Sequence, residues 1–264
     1  MERKVVIITG AARGIGKATA LQLAANSNRL ILCGRDAVAL QVVAEEARQA
    51  GGEAHALVGD VRDPETAERL VFKTFDEFGR LDSLVNAAGI AKNVPLLELD
   101  LQTWSDLFAL HVTGTLLCCQ AVAKALVKQG QGGSIVNLSS LAASAAMITT
   151  GAYSSAKAAV SALTRAFAVE LAQFEIRVNA VAPGPVATEQ LLRAYGPAGY
   201  ADRGRSIPLN RLAEPHEVAK VIAFLLSDSA HYLTGIVLPV DGGASAVGAY
   251  SYDTYKRNAS PQGK

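Results

Sequence analysis

Cysteine is scarce in this chain of 264 residues: Cys33, Cys118 and Cys119 make an odd count, two of them adjacent. That is a poor disulfide framework, and it points to a reduced, cytoplasmic protein. An excess of charge of either sign is lacking too. Lysine and arginine number 25 against 24 acidic residues, a formal net charge of +1 with no basic or acidic block. This argues against nucleic acid or an anionic membrane as an electrostatic partner. No uninterrupted apolar run reaches the ~18 residues a membrane span needs. The best candidate, LLCCQAVAKALV, is interrupted by Gln120 and Lys124. The opening MERKVVIITG has an apolar run too short for a signal-peptide core. No internal repeat, linker or metal-ligating set stands out, so one domain without a metal is expected.

What is present is a globular composition, half of it hydrophobic, in which strand and helix patterns alternate. KVVIIT (4–9) is a continuous β-branched apolar run, the pattern of a strand buried on both faces. Further strands are expected at RLILC (29–33), EAHALVGD (53–60), DSLVNAAG (82–89), GSIVNLSS (133–140), EIRVNAVAPG (175–184) and GIVLPVDGG (235–243). Helices are expected over 15–25, 37–50, about 65–78, roughly 103–128, 152–172 and 215–227, with an irregular stretch to about 213. This alternation predicts a single-domain α/β fold: a doubly wound, Rossmann-type parallel sheet of about seven strands with helices on both faces, over residues 1–243. Ligands of such sheets bind beyond the carboxyl ends of the strands.

At that edge the first strand runs into TGAARGIG, with Gly10, Gly14 and Gly16 at a strand-to-helix turn. Glycines there let backbone approach a pyrophosphate, and the helix amino end offers free N–H groups, including that of Ile15. The second strand ends in CGRD. An NAD site would place a carboxylate there, whereas Arg35, with Arg13 nearby, suits a charged 2′-phosphate and favours NADP over NAD. The alternative is that Arg35 is a solvated loop residue and Asp36 only caps the next helix.

Residues 151–157 read GAYSSAK, placing Tyr153 and Lys157 one helical turn apart. Thirteen residues before Tyr153, Ser140 ends the fifth strand beside Ser139. TGxxxGxG, NAAG (86–89), the strand-five serine, YxxxK and the PG after strand six together resemble the short-chain dehydrogenase/reductase family, from Thr9 to about Gly243. A ketone accepting hydride builds negative charge on oxygen and then needs a proton, and a phenol of pKa ~10 is a poor match to neutral operation. A neighbouring ammonium favours the phenolate. The expected roles follow: Tyr153 as general acid or base, Lys157 lowering its pKa and holding the nicotinamide ribose, and Ser140 donating to the substrate oxygen. The resemblance assigns the same three roles.

The resemblance further implies that Asp60 with Val61 meets the adenine, that Asn86, Ala87 and Gly89 line the cofactor, and that Pro183, Gly184, Val186 and Thr188 meet its nicotinamide end. Asn86 has a purely structural alternative, and Thr188 a capping one. Where the family carries an asparagine that holds a proton-relay water, this chain has His111, in LFALHVTG. A relay histidine titrating near ~6.5 would mark the pH profile, whereas a packing histidine would not.

Residues 186–213 are read as a substrate loop of lid type, and 244–264 as a polar tail with Tyr250, Tyr252 and Tyr255. Relatives of this family often reduce 3-oxoacyl groups on acyl carrier protein, which docks on basic helix ends. Here those ends read KQGQGG (128–133) and AQFEIR (172–177), with Gln131, Phe174 and Glu175 where positive charge would help. A free small ketone or alcohol is therefore the expected substrate. An NAD-dependent alcohol or polyol dehydrogenase, or a cofactor-binding protein without turnover, are the other readings. The two long helices are apolar on more than one face, and the resemblance implies a homodimer or homotetramer built on them.

Overall fold

Seven strands and eight helices follow one another along the computed structural model, which describes residues 3–145 and 147–247. The strands are β1 (Val5–Thr9), β2 (Arg29–Gly34), β3 (Glu53–Val58), β4 (Ser83–Asn86), β5 (Gly133–Leu138), β6 (Ile176–Pro183) and β7 (Val237–Val240). The helices are α1 (Gly14–Ala24), α2 (Ala37–Gln49), α3 (Pro64–Phe78), α4 (Leu101–Phe108), α5 (Gly114–Gln129), α6 (Gly151–Leu171), α7 (Glu189–Arg205) and α8 (Pro215–Leu226). The strands form one parallel sheet in the order β3-β2-β1-β4-β5-β6-β7.

The continuous apolar runs are strands because both faces are covered. In β1, Val6 and Ile8 join Leu23 of α1, Leu40 of α2 and Ile222 of α8 in one apolar layer. Ile7 faces the opposite way, with Leu70 of α3, Val122 and Leu126 of α5 and Leu171 of α6. Each such fully buried side chain contributes roughly 1.5–3 kcal/mol relative to exposure. Local signals set the helix ends. Asp63 accepts from the Glu65 N–H at the start of α3, Pro64 occupies its first turn, and Gly79 ends it in the left-handed conformation.

The strand order reverses between β1 and β4, which opens the crevice where ligands of doubly wound sheets bind. Thr9 pairs with Asn86 at its floor.

Four expectations need correction. The irregular stretch after β6 is mostly helical: α7 spans Glu189–Arg205 and is kinked at Gly196 (φ 64°, ψ 175°) before Pro197. The Gly-Pro pair divides the helix rather than preventing it, and Thr188 caps its start by accepting from Leu191 N–H. The long helix expected over 103–128 is two helices joined by a π turn, Ala109–Thr113, which contains His111. Helix Leu101–Gln129 is also long and apolar enough, by length and composition, to cross a membrane. Gln120 and Lys124 are too few to offset its apolar majority, but half of its most apolar window is buried inside the fold, as in a core helix. The last strand is shorter than read, Val237–Val240. The tail tyrosines Tyr250, Tyr252 and Tyr255 lie outside the described residues.

Candidate functional site

At the mouth of the β1–β4 crevice the chain turns on Gly10, at φ 64°. A Cβ there would lie 2.6 Å from the Ala88 backbone, so only glycine lets the two strand ends approach this closely. The Thr9 hydroxyl accepts from the Ala87 and Ala88 N–H groups at 3.2 and 3.3 Å and fixes that approach. At Gly16 a Cβ would sit 2.2 Å from the Gly10 carbonyl oxygen. The amino end of α1 thus presents the Gly14, Ile15 and Gly16 region with no side-chain cap and no acid in its first turn. Bare first-turn amides and a positive dipole end suit a pyrophosphate, so the residues fit a dinucleotide. Thr188 closes over this turn: a Cβ on Gly14 would lie 3.6 Å from its methyl group.

At the end of β2, Arg13 and Arg35 both reach the expected neighbourhood, already paired. Arg13 binds Asp36, whose other oxygen caps α2 through the Ala39 N–H. Arg35 stands 3.8 Å from Asp60, which Arg62 holds at 2.6 Å. The hydrogen bond from Arg62 keeps the Asp60 carboxyl below the ordinary range. Both arginine side chains stay more than half exposed, 57% for Arg13 and 61% for Arg35.

At the other end of the site, Ser139 and Ser140 leave β5 in opposite directions, as successive extended residues do. Ser139 is buried, bonded to the Ser161 hydroxyl at 2.7 Å and donating to the Lys157 carbonyl. Ser140 accepts from the Ala142 N–H and shares a hydrogen bond with the Tyr153 phenol. Lys157 is 5% exposed, donates from Nζ to the Leu138 carbonyl at 2.6 Å, and lies 5.8 Å from the Tyr153 ring centroid. Serine, tyrosine and lysine therefore converge as expected.

Their protonation departs from expectation. Tyr153 is raised above the ordinary phenol value by burial, opposed by the Ser140 hydrogen bond. Lys157 does not pull it down: burial pushes the ammonium itself to about 7. With both groups desolvated, each favours its neutral form, and burial outweighs the mutual attraction foreseen from the spacing.

His111 packs its ring edge-on against Tyr153, with centroids 5.4 Å apart, and its Nε2 meets the Ile90 carbonyl at 2.8 Å. A carbonyl can only accept, so Nε2 carries the proton and Nδ1 is an unprotonated acceptor, buried without a partner. Burial first, and the Lys157 charge second, push the imidazole to about 3. The ordinary titration near ~6.5 is therefore displaced. Gly89 is what makes room: a Cβ there would lie 2.6 Å from His111 Cε1.

Other candidates have structural partners of their own. Asn86 donates to the Asn137 side chain at 2.9 Å and to Cys119 Sγ, and Asn137 donates to Thr164, tying β4, β5 and α6 together. Val61 is buried against Gly114. Pro183 ends β6, Gly184 lies hard against Asp241, and Val186 bridges to Ala213, which directs the chain back across the glycine turn. Sequence reasoning passed over Thr9 and Asn137. The signal was a polar residue within an apolar strand, which must find a partner when buried.

Residues 10–245 match the family model described as Enoyl-(Acyl carrier protein) reductase. A cis-4-hydroxycyclohexanecarboxylate dehydrogenase of Sinomonas cyclohexanicum is 42% identical over 246 residues, covering 92% of this chain and 97% of that protein. A 3-oxoacyl-(acyl-carrier-protein) reductase of Synechocystis sp. is 40% identical over 249 residues, covering 91% of this chain and 96% of the relative. Among solved structures, carveol dehydrogenase from Mycobacterium avium in complex with NAD superposes with a TM-score of 0.88 at 31% identity, covering 92% of this chain and 98% of that one.

Proposed function

The chain belongs to the short-chain dehydrogenase/reductase family, and from that premise we propose that it is a cytoplasmic, NADP(H)-dependent reductase of a free small ketone, giving a secondary alcohol. The observation that carries this reading is the convergence of Ser140, Tyr153 and Lys157 at the carboxyl edge of the sheet. A nicotinamide cofactor, when bound, would supply the hydride that the carbonyl carbon accepts. Ser140 donates a hydrogen bond to the carbonyl oxygen, and Tyr153, kept protonated by its burial, delivers the proton that oxygen requires. Lys157, held by the Leu138 carbonyl and titrating near neutrality, returns a proton to Tyr153. Arg13 and Arg35 support NADP, because a 2′-phosphate gives each a stronger partner than Asp36 or Asp60. The buried free cysteines accord with a reducing compartment. The exposed Val127 on α5, Val169 on α6 and Phe174 just beyond α6 support a homodimer or homotetramer, which light scattering tests; a monomer at micromolar concentration contradicts it.

Oxidation of NADPH and NADH against ketones, diketones, sugars and an acetoacetyl thioester tests the whole reading. Faster turnover with NADPH on free ketones is expected, and a clear NADH preference, as the NAD complex of the carveol enzyme allows, overturns the cofactor assignment. One observation favours a second reading. A groove of about 640 Å³ between α3 and α5 is lined by Lys124, Lys128, Val71 and Phe75, a basic and apolar combination suited to an acidic carrier protein. A carrier-bound 3-oxoacyl group turned over far faster than free ketones, with loss in Lys124→Glu plus Lys128→Glu, would favour it.

A further inference from the structure

The loop between β4 and α4 is fastened at several points. His111 holds the Ile90 carbonyl, Lys92 donates to Thr103 at 2.8 Å, and the Val94 N–H donates to the Thr149 carbonyl at 2.7 Å. Leu96 fills the space above Gly151, where a Cβ would lie 2.3 Å from its Cδ2, two residues before Tyr153. From this fixed loop the Asn93 amide reaches across to α7 and donates to the Tyr195 hydroxyl at 2.8 Å. The Arg203 guanidinium carbon lies 3.6 Å from the Tyr195 ring centroid on the other limb of the kinked helix. Among the described residues Arg203 makes no ion pair, so its charge is directed at the ring.

These contacts tie a second phenol to the loop that flanks Tyr153. The loop that carries Asn93 is held at Ile90 by His111, whose ring packs on Tyr153. Asn93 is the donor in their bond, so the Tyr195 oxygen is the acceptor and its own proton remains free to be given. The guanidinium stacked on the ring face holds the plane of the ring and so the direction of that O–H. Half-buried, Tyr195 has one side in the fold and one facing outward. A half-buried donor held in this way discriminates by about the worth of one hydrogen bond, since water satisfies it in part where a substrate lacks the matching acceptor.

Resting on the reductase reading, we propose that Tyr195 is a specificity-determining residue whose hydroxyl donates to a second oxygen of the substrate. The preferred substrates are then dioxygenated compounds such as diketones, hydroxyketones or diols, rather than simple ketones or alcohols. Asn93 and Arg203 are its positioning residues.

The test compares kcat/KM for two matched pairs, 2-butanone with 2,3-butanedione and cyclohexanone with 1,2-cyclohexanedione, in wild type and in Tyr195→Phe, with NADPH and with NADH. The phenylalanine keeps the ring on which Arg203 stacks. The dione-to-ketone ratio of the wild type, divided by that of the variant, cancels the diones' greater intrinsic reactivity. That quotient should be about three- to tenfold in both pairs, as expected for one hydrogen bond, with the change mainly in KM for the diones. Arg203→Met should lower the dione preference in the same direction by a smaller factor. A quotient near one, or an equal fall for both members of each pair, overturns the proposal while leaving the reductase reading intact. Turnover of none of the four ketones overturns the reductase reading, and this inference with it.

Discussion

The two ends of the site hold charge in opposite ways. At the end of β2, four ionic side chains, Arg13, Asp36, Arg35 and Asp60, lie in partial contact with water and satisfy one another. At the end of β5, Lys157 and His111 are buried and Tyr153 is half-buried, and each is displaced toward its neutral form. The exposed end is suited to selecting a charged ligand group, at a cost in salt sensitivity. The buried end is suited to moving protons, because desolvation brings an ammonium to neutrality.

The sharpest way to break the comparison is at the buried end. Tyr153→Phe should keep fold and NADPH binding and lose kcat by ~10²–10⁴-fold or more, the scale of a general acid–base group. Single-turnover kinetics at saturating NADPH and substrate would show it, and a near-normal kcat removes the assignment.

Lys157 comes next, through stability. Its folded-state pKa of about 7 lies below that of an unfolded lysine, so between about pH 7 and ~10.4 the unfolded chain binds more protons than the folded one. Stability from this group is therefore full above ~10.4 and is lost as pH falls toward 7. Lys157→Met should flatten that rise, worth on the order of a few kcal/mol, in denaturant midpoints taken from pH 7 to 10. Parallel curves for the two proteins would show that the ammonium is not desolvated.

The exposed end should respond less, and differently. Arg13→Ala with Arg35→Ala should weaken NADPH by about tenfold or more while changing NADH little, since charge-assisted hydrogen bonds contribute roughly 1.5–3 kcal/mol each. Fluorescence titration at low and high salt reads both effects, and the NADPH advantage should shrink with salt. Equal weakening of both cofactors contradicts a 2′-phosphate site.

His111 should have the smallest effect on rate. With its imidazole pushed to about 3 it is neutral throughout the working range, so His111→Asn should leave the shape of the kcat–pH curve between about pH 6 and 9 unchanged. Its mark is on acid stability. The folded value lies below the unfolded ~6.5, so stability from this group falls as pH drops from ~6.5 toward 3, and the asparagine variant should lose less there. An inflection near 6.5 in the wild-type rate that disappears in the variant would restore the titrating relay.

The fold was legible because the cues are local and repeated. The apolar run at Val5–Thr9, the Asp63-Pro64 start and Gly79 stop of α3, and the strand–helix alternation each point to the same architecture. The glycine turn and the Tyr153–Lys157 spacing were legible because one strand end and one helical turn bring their members together. Residues 186–213 were misread because a Gly-Pro pair signals a break without saying whether helix resumes beyond it. The π turn at Ala109–Thr113 has no composition of its own.

Of the site itself, the sequence by itself determined the membership: which residue types stand at the carboxyl edge and in what order along the chain. Which tautomer His111 holds and how far Lys157 is shifted were decided by the tertiary structure alone. So was the meeting of Asn93 with Tyr195, across 102 positions of sequence. The reason is physical. Spacing along a helix or strand fixes direction, whereas desolvation and hydrogen-bond partnership depend on every element packed around a group. Here those elements come from β4, β5, α6 and α7, and no window of sequence contains them together.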